Sequence, residues 1–264
     1  MLMTDDKLER VASVDIGRLR RKRMAEQTVG ALVAGKNMVP DLQLVVMADI
    51  TGSMYKYFDE VRQKFAEIVA AVKKEVPRSQ FAVFAYRNHG DEDRYDQIFY
   101  ASPLSSDEEA VAKFIRDIKR GGGGSDALTC MEDCLREANG LTWQSKAQKA
   151  IVIVGDMPPH GVLDSLDKCY RGIDYRAEIS ALKNNGVRIY PVFCGDNQRV
   201  KDFYQSMAVQ TGGRLMDLAH IGEIVTLLVA VCMKETGKLD KFLADLRAQK
   251  QLSPGQERII KALL

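Results

Sequence analysis

The feature that most constrains this chain is an alternation of short apolar segments with amphipathic segments, running from about residue 41 to residue 235. Each apolar segment has the length of a strand and is apolar at successive positions, which is typical of a strand covered on both faces. The intervening segments carry apolar residues at helical spacing. Alternating strand and helix units predict an α/β fold, doubly wound, with a mostly parallel sheet and helices on both faces.

The predicted elements divide the chain into three parts. The strands are predicted at 42–48, 81–86, 97–100, 150–154, 187–194 and 214–217, and the helices at 58–72, 108–119, 128–138, 176–184, 200–210 and 221–236. Residues 1–40 are predicted to be a basic helical extension, and residues 237–264 to hold two short amphipathic helices. Ser253, Pro254 and Gln256 have the spacing of a helix start. We therefore expect an N-terminal extension (1–40), a central domain (41–236) and a C-terminal extension (237–264).

Bulk properties narrow the classes of function. A net charge of +2 gives no general attraction to nucleic acid or anionic lipid. No apolar run reaches the roughly 18 residues of a membrane span, and the first residues lack the apolar core of a secretory signal. The five cysteines are odd in number and show no Cys-x-x-Cys spacing, so free thiols and a cytoplasmic location are expected.

The most informative local pattern follows the first predicted strand. Asp49 comes at the end of an apolar run, and two hydroxyls follow at alternate positions, Thr51 and Ser53. Gly52 lets the turn tighten so that both hydroxyls can face one point. One carboxylate and two hydroxyls form a small cradle of hard oxygen ligands, which suits Mg²⁺. The alternative at this point is a strand followed by an ordinary polar turn.

Two further acidic segments are expected at the same edge of the sheet. Asp156 follows the predicted strand 150–154, and Ser125 and Asp126 follow the glycine run 121–124. In an open parallel sheet, ligands bind beyond the carboxyl ends of the strands. Carboxylates crowded together there repel one another unless a cation joins them. We therefore expect Asp49, Thr51, Ser53, Asp126 and Asp156 to hold a divalent metal ion.

These motifs resemble those of a von Willebrand factor type A (vWA) domain with a metal-ion-dependent adhesion site (MIDAS). The resemblance covers residues 41–235, and its closest form is the vWA domain associated with alpha-type protein kinases. The segments that carry it are Asp49-Ile50-Thr51-Gly52-Ser53, Phe84–His89, Gly122–Asp126, Leu141–Trp143, Asp156-Met157-Pro158-Pro159-His160-Gly161 and Ala208–Leu215.

The resemblance implies a Rossmann-like vWA fold and a metal-dependent protein interaction module without enzymatic activity. Mg²⁺ is the expected ion, with Mn²⁺ or Ca²⁺ as alternatives, and an Asp or Glu of a partner protein completes its shell. Intracellular relatives imply an adaptor in a complex with an AAA+ ATPase or a protein kinase, in a stress or defence system. Related domains usually have Gly-Gly-Gly-Asp-x-Pro-Glu in the second loop. Counting back from Trp143 puts Asp126 at the ligand position and Thr129 where the Glu would stand, so Asp126 is favoured over Ser125 as the ligand.

Other signals are given plainer interpretations. His160 is expected to shape the partner surface, and His89 and His220 to be structural or surface residues far from any metal-ligand cluster. Closely spaced His and Cys ligands for zinc are not found in the sequence. Two alternative functions stay open. One is a metal-dependent hydrolase with His160 as general base; the other is a nucleic-acid tether through the basic run Arg18–Arg23, although nucleic acid is not the expected partner.

Overall fold

The computed structural model describes residues 41–91, 94–95, 97–119, 128–216, 218, 220–248 and 252–264. The strands are β1 (Leu42–Asp49), β2 (Ser79–Tyr86), β3 (Phe99–Ala101), β4 (Gln148–Gly155) and β5 (Arg188–Phe193). The helices are α1 (Tyr55–Glu75), α2 (Glu108–Asp117), α3 (Met131–Asn139), α4 (Tyr175–Asn184), α5 (Gln198–Thr211), α6 (Ile224–Glu235), α7 (Leu239–Ala248) and α8 (Pro254–Leu263). The prediction for residues 1–40 lies outside the described residues.

The five strands form one sheet in the order β3-β2-β1-β4-β5. β1 lies at the centre and pairs in parallel with both β2 and β4. β4 also pairs in parallel with β5, whereas the short β3 runs antiparallel to β2. The carboxyl ends of β1, β2, β4 and β5 therefore share one edge of the sheet. The predicted α/β class and mostly parallel sheet are confirmed.

Successive residues of each central strand point to opposite faces of the sheet. In β1, Leu44 and Val46 belong to one buried cluster, and Val45 and Met47 belong to the other. Helices α1, α2, α6, α7 and α8 contribute buried side chains to the first cluster, and α3, α4 and α5 to the second. Both faces are thus covered, which explains why these strands are apolar at nearly every position.

Gln43 is the one polar residue inside the first apolar run, and the structure accounts for it. Its side chain is fully buried. Its amide nitrogen donates to the Gln80 side-chain oxygen at 2.8 Å, and its amide oxygen accepts from the backbone N–H of Gln144 at 2.8 Å. A satisfied buried amide costs far less free energy than an unpaired one. Gln43 therefore ties the start of the central strand to the segment that leads into β4.

Residues 214–216 do not form the strand predicted for 214–217, and residue 217 lies outside the described residues. Met216 makes an isolated parallel bridge to Val192, with its N–H donating to the carbonyl of Pro191 at 2.7 Å. Pro191 lacks an N–H, so it cannot contribute a donor to a continuous ladder. The prediction of a strand was wrong here because one bridge replaces a paired segment.

The C-terminal helices pack onto the first cluster. Leu239 and Leu243 of α7 and Ile259, Ile260 and Leu263 of α8 are buried in it. The predicted helix start at Ser253 is confirmed, because Ser253 Oγ accepts from the Gln256 N–H at 3.2 Å and Gln256 Oε1 accepts from the Ser253 N–H at 2.9 Å. The apolar face of α8 is therefore part of the same core as the sheet.

Two properties of the described residues concern membrane-spanning helices and the state of the cysteines. Among the helices of the described ranges, none combines the length and the apolar character that crossing a membrane requires. All five cysteines are free, and Cys130 and Cys134 are buried in the second cluster as expected. The cytoplasmic location remains a prediction.

Replacing Ile260 by Ala tests whether α8 contributes to the stability of the core. Ile260 is fully buried, so Ile260→Ala should lower the free energy of unfolding by about 2–4 kcal/mol through lost apolar contacts and a residual cavity. Leu264, which is 49% exposed, provides the control, and Leu264→Ala should change it by less than about 0.5 kcal/mol. Urea unfolding measures both, and equal effects would show that α8 is dispensable for folding.

Candidate metal centre

Two carboxylates meet where the neighbouring strands β1 and β4 end. Ala48 lies opposite Val154 in the parallel register, so Asp49 comes next to Gly155 and Asp156 follows at once. A Cβ added to Gly155 would lie 3.5 Å from Cβ of Asp49. The structure therefore brings Asp49 and Asp156 to one rim, as the sequence predicts.

Asp49 is fully buried and only half satisfied. Its Oδ1 accepts from the backbone N–H of Thr51 at 2.8 Å and from the Thr51 hydroxyl at 2.6 Å. Its Oδ2 is buried and has no hydrogen-bond partner among the described residues. Burial raises the pKa of Asp49 to about 7; the hydrogen bonds from Thr51 lower it, and the negative charge of Asp156 raises it. A cation at Oδ2 would favour the ionised form.

Ser53 and Asp156 form the second half of the rim. The exposed Ser53 hydroxyl donates to Asp156 Oδ2 at 2.8 Å. The other oxygen, Oδ1, is buried and finds no partner in the described part of the chain. Two buried carboxylate oxygens are thus left over beside two hydroxyls. This all-oxygen donor set fits a hard divalent cation such as Mg²⁺.

Three tyrosines that sequence reasoning missed surround these carboxylates. A Cβ on Gly155 would lie 2.5 Å from the Tyr204 hydroxyl and 2.9 Å from the Tyr86 hydroxyl, so a larger residue there would force these two phenols to shift. Burial, together with the nearby Asp49, raises the pKa of both phenols. The pKa of Tyr57 is also raised, first by burial and then by Cys194 and Asp156. No sequence spacing relates these positions, because they come from α1, β2 and α5.

The second-loop ligand is not among the described residues. Ser125 and Asp126 both fall in the gap between 119 and 128. Thr129, the first polar residue after the gap, is fully buried, and its N–H donates to the carbonyl of Pro158 at 3.2 Å. The next N–H, that of Cys130, donates to the carbonyl of Arg87 at 2.7 Å. The chain after the second loop is therefore fastened to the loop that follows Asp156.

A second group of ionisable side chains lies at the same end of the sheet. His89 Nε2 is 2.7 Å from Asp133 Oδ2, and His160 Nδ1 is 2.6 Å from Glu132 Oε1. The two imidazole rings stack with centroids 4.7 Å apart and planes inclined by 21°. The donor atoms of His89, Glu132, Asp133 and Cys169 all lie within 4.8 Å of one another. Burial raises the pKa of the Cys169 thiol to about 11.

This cluster corrects two expectations. The side chain of His160 is only 7% exposed and is bonded to Glu132, so it does not shape a partner surface. His89 was expected to lie far from any group of metal ligands, and it lies inside one. The surface role expected for His160 and the isolation expected for His89 were wrong, whereas the interpretation of His89 as a structural residue agrees with its burial. The neighbours of these residues could not be found from their positions along the sequence. Three separate segments supply the cluster, and only the fold brings them together.

The comparisons with known proteins show the fold. Two crystal structures of the pilus adhesin SpaC from Lactobacillus rhamnosus GG each match 76% of this chain. The open conformation gives a TM-score of 0.54 at 11% identity, and a second crystal form gives 0.56 at 12%. This chain covers 30% and 31% of the respective SpaC chains. No family model and no curated protein matches the chain. The class that fold and similarity define is a Rossmann-like α/β domain.

Asp49→Asn tests the buried carboxylate directly. The pKa of Asp49 rises from 3.8 to about 7 on folding, so the folded state holds a proton that the unfolded state has lost. The metal-free protein should therefore lose stability as the pH rises from about 4 to 7. Asp49→Asn should remove that loss and raise the free energy of unfolding by on the order of 1–3 kcal/mol at pH 8 in EDTA.

The matched control is Asp240→Asn, which changes an exposed carboxylate in the first turn of α7. It should shift the unfolding free energy little at any pH. Urea titrations of the three proteins between pH 5 and pH 8 measure the effect. A destabilised Asp49→Asn protein at pH 8 in EDTA would mean that the Asp49 carboxylate is stabilising as it stands.

Proposed function

We propose that this chain is a vWA-type domain whose rim binds Mg²⁺ through a MIDAS. Asp49, Thr51, Ser53 and Asp156 would hold the ion, with Asp126 from the second loop. The observation that carries the proposal is a pair of buried oxygens, Asp49 Oδ2 and Asp156 Oδ1, that have no hydrogen-bond partner among the described residues and lie beside two hydroxyls. Leaving two such oxygens without a partner costs free energy, and a bound cation would offset this cost. We also propose that the sheet is doubly wound, as in a vWA domain.

The metal would serve recognition. An ion held by few direct carboxylates stays electrophilic, so it attracts an anionic oxygen from outside the domain. Ser53 is exposed, which leaves the rim open on that side. We propose that an Asp or Glu of a partner protein completes the shell and that the metal is the energetic centre of the interface.

The identity of the partner rests on the resemblance alone. It favours an AAA+ ATPase or a protein kinase, with this chain as a cytoplasmic adaptor in a stress or defence system. Mn²⁺ and Ca²⁺ are the alternative ions. These are analogies at the level of fold and motif, and the site itself supplies only the preference for an anionic oxygen.

We propose no enzymatic step at this rim. A hydrolase would need a general base within reach of a metal-bound water. His160, the candidate that the sequence offers, has Nδ1 bonded to Glu132 and a side chain that is 7% exposed. The ring of His160 is thus nearly buried and stacked on His89, within the cluster around His89, which favours binding over catalysis at the rim.

Metal binding is tested by titrating MgCl₂ into the full chain in a calorimeter. Ser53→Ala removes one hydroxyl of the rim and should weaken Mg²⁺ binding at least about tenfold, equivalent to about 1.4 kcal/mol. Ser180→Ala is the matched control, because Ser180 is an exposed serine on α4. It should bind Mg²⁺ as the wild-type chain does. Equal affinities for the two variants would place the ion elsewhere.

Recognition is tested separately by affinity capture with the same three proteins. The wild-type chain and Ser180→Ala should retain a partner in Mg²⁺ and release it in EDTA, and Ser53→Ala should retain none. Substituting acidic residues of the captured protein by amides should then identify the carboxylate that reaches the metal. Capture that is indifferent to EDTA would contradict the proposed mode of binding.

A further inference from the structure

The cluster around His89 has the composition of a transition-metal site. Its four members come from three segments: His89 from the turn after β2, Glu132 and Asp133 from the first turn of α3, and Cys169 from the loop between β4 and α4. All four are buried, and their donor atoms lie within 4.8 Å of one another. Nitrogen, sulfur and oxygen donors at one point are typical of zinc, whereas Mg²⁺ takes oxygen alone.

The hydrogen bonds of the cluster leave two atoms that could bind a metal ion without a partner among the described residues. Asp133 Oδ2 and Oδ1 face His89 Nε2 and Arg171 Nη1, at 2.7 Å and 3.1 Å. Glu132 Oε1 faces His160. His89 Nδ1 and Glu132 Oε2 are buried and have no hydrogen-bond partner within the described ranges. The side chains of His89 and Glu132 are 5% and 1% exposed, so water does not readily compensate them.

The charges of the cluster also point to a missing cation. Glu132 and Asp133 are adjacent carboxylates, each no more than 3% exposed, and Arg171 is the cation paired with Asp133. One guanidinium thus faces two buried carboxylates, whose other neighbours are the imidazoles of His89 and His160. Uncompensated buried charge is costly, and a bound divalent ion would remove that cost.

We propose that His89, Glu132, Asp133 and Cys169 bind one zinc ion in a structural site distinct from the Mg²⁺ rim. Tetrahedral zinc with bonds of 2.0–2.3 Å places its donors about 3.3–3.8 Å apart. Donors within 4.8 Å reach that arrangement by small side-chain rotations. His160, stacked on His89 and bonded to Glu132, orients both ligands from outside the site.

The site would fasten the loops that build the rim. The loop after Asp156 is already joined to the start of α3 through Thr129 and Pro158, and α3 to the end of β2 through Cys130 and Arg87. Zinc would add a bond from Cys169, farther along that loop, to the same two elements. Its role is structural, and it does not depend on whether the rim binds a partner.

Metal analysis of the full chain, purified without chelator and then reconstituted with zinc, tests the site. The wild-type chain should hold about one zinc ion, and Cys169→Ala should lose it. Cys232→Ala is the matched control, because Cys232 is an equally buried thiol in the cluster on the opposite face of the sheet. It should keep the zinc. Glu132→Gln supplies a second test if Cys169→Ala does not fold, and it should bind zinc at least about tenfold more weakly.

Cobalt substitution separates this site from the Mg²⁺ rim. The Co²⁺-loaded chain should show thiolate-to-metal charge-transfer absorption that Cys169→Ala lacks and that Asp49→Asn and Cys232→Ala retain. Asp49→Asn should lose Mg²⁺ binding and keep zinc, whereas Cys169→Ala should lose zinc. A wild-type chain that takes up no zinc after reconstitution, or variants that all keep it, would overturn the proposal and leave a hydrogen-bonded network.

Discussion

The parallel pairing of β1 with β4 is the constraint on which the rest depends. It places Asp49 beside Gly155, a position where a larger residue would force Tyr86 and Tyr204 to shift. The carboxylate of Asp49 is thereby removed from water, although within the described part of the chain only one of its oxygens has a hydrogen-bond partner. Hydrophobic burial of the two central strands supplies the free energy that holds a costly charge in place. The position of the Asp49 carboxylate at the rim therefore depends on the packing of the hydrophobic core.

Much of this arrangement could be predicted from the sequence. Hydrophobic periodicity gave the order of strands and helices because strands buried on both faces are apolar throughout, and Ser253 and Gln256 marked the start of α8 correctly. Asp49 and Asp156 could be placed together because parallel strands end at one edge. The strand predicted at the end of the domain was wrong for residues 214–216, because a strand needs a continuous partner and Pro191 interrupts the neighbouring strand β5.

The cluster around His89 could not be found by the same reasoning. Hydrophobic periodicity identifies the buried face of a helix or strand, and a motif identifies residues that are close together in the sequence. His89, Glu132 and Cys169 share neither a face nor a motif, because they come from three distant segments. The adjacent acids Glu132 and Asp133 occupy the first turn of a helix, and in the structure both are buried. Acidic residues in the first turn favour the helix dipole and are normally exposed. Their burial becomes evident only from the packing of the loops above them.

The two edge strands of the sheet determine how readily another polypeptide can pair with it. β3 offers only three residues, and β5 carries Pro191, whose carbonyl is already engaged by Met216. An unblocked border would invite another polypeptide to extend the sheet, with the attendant hazard of aggregation. In this sheet both edge strands offer few free backbone groups for pairing. Extension of the sheet by addition of a further strand is thereby disfavoured on either side.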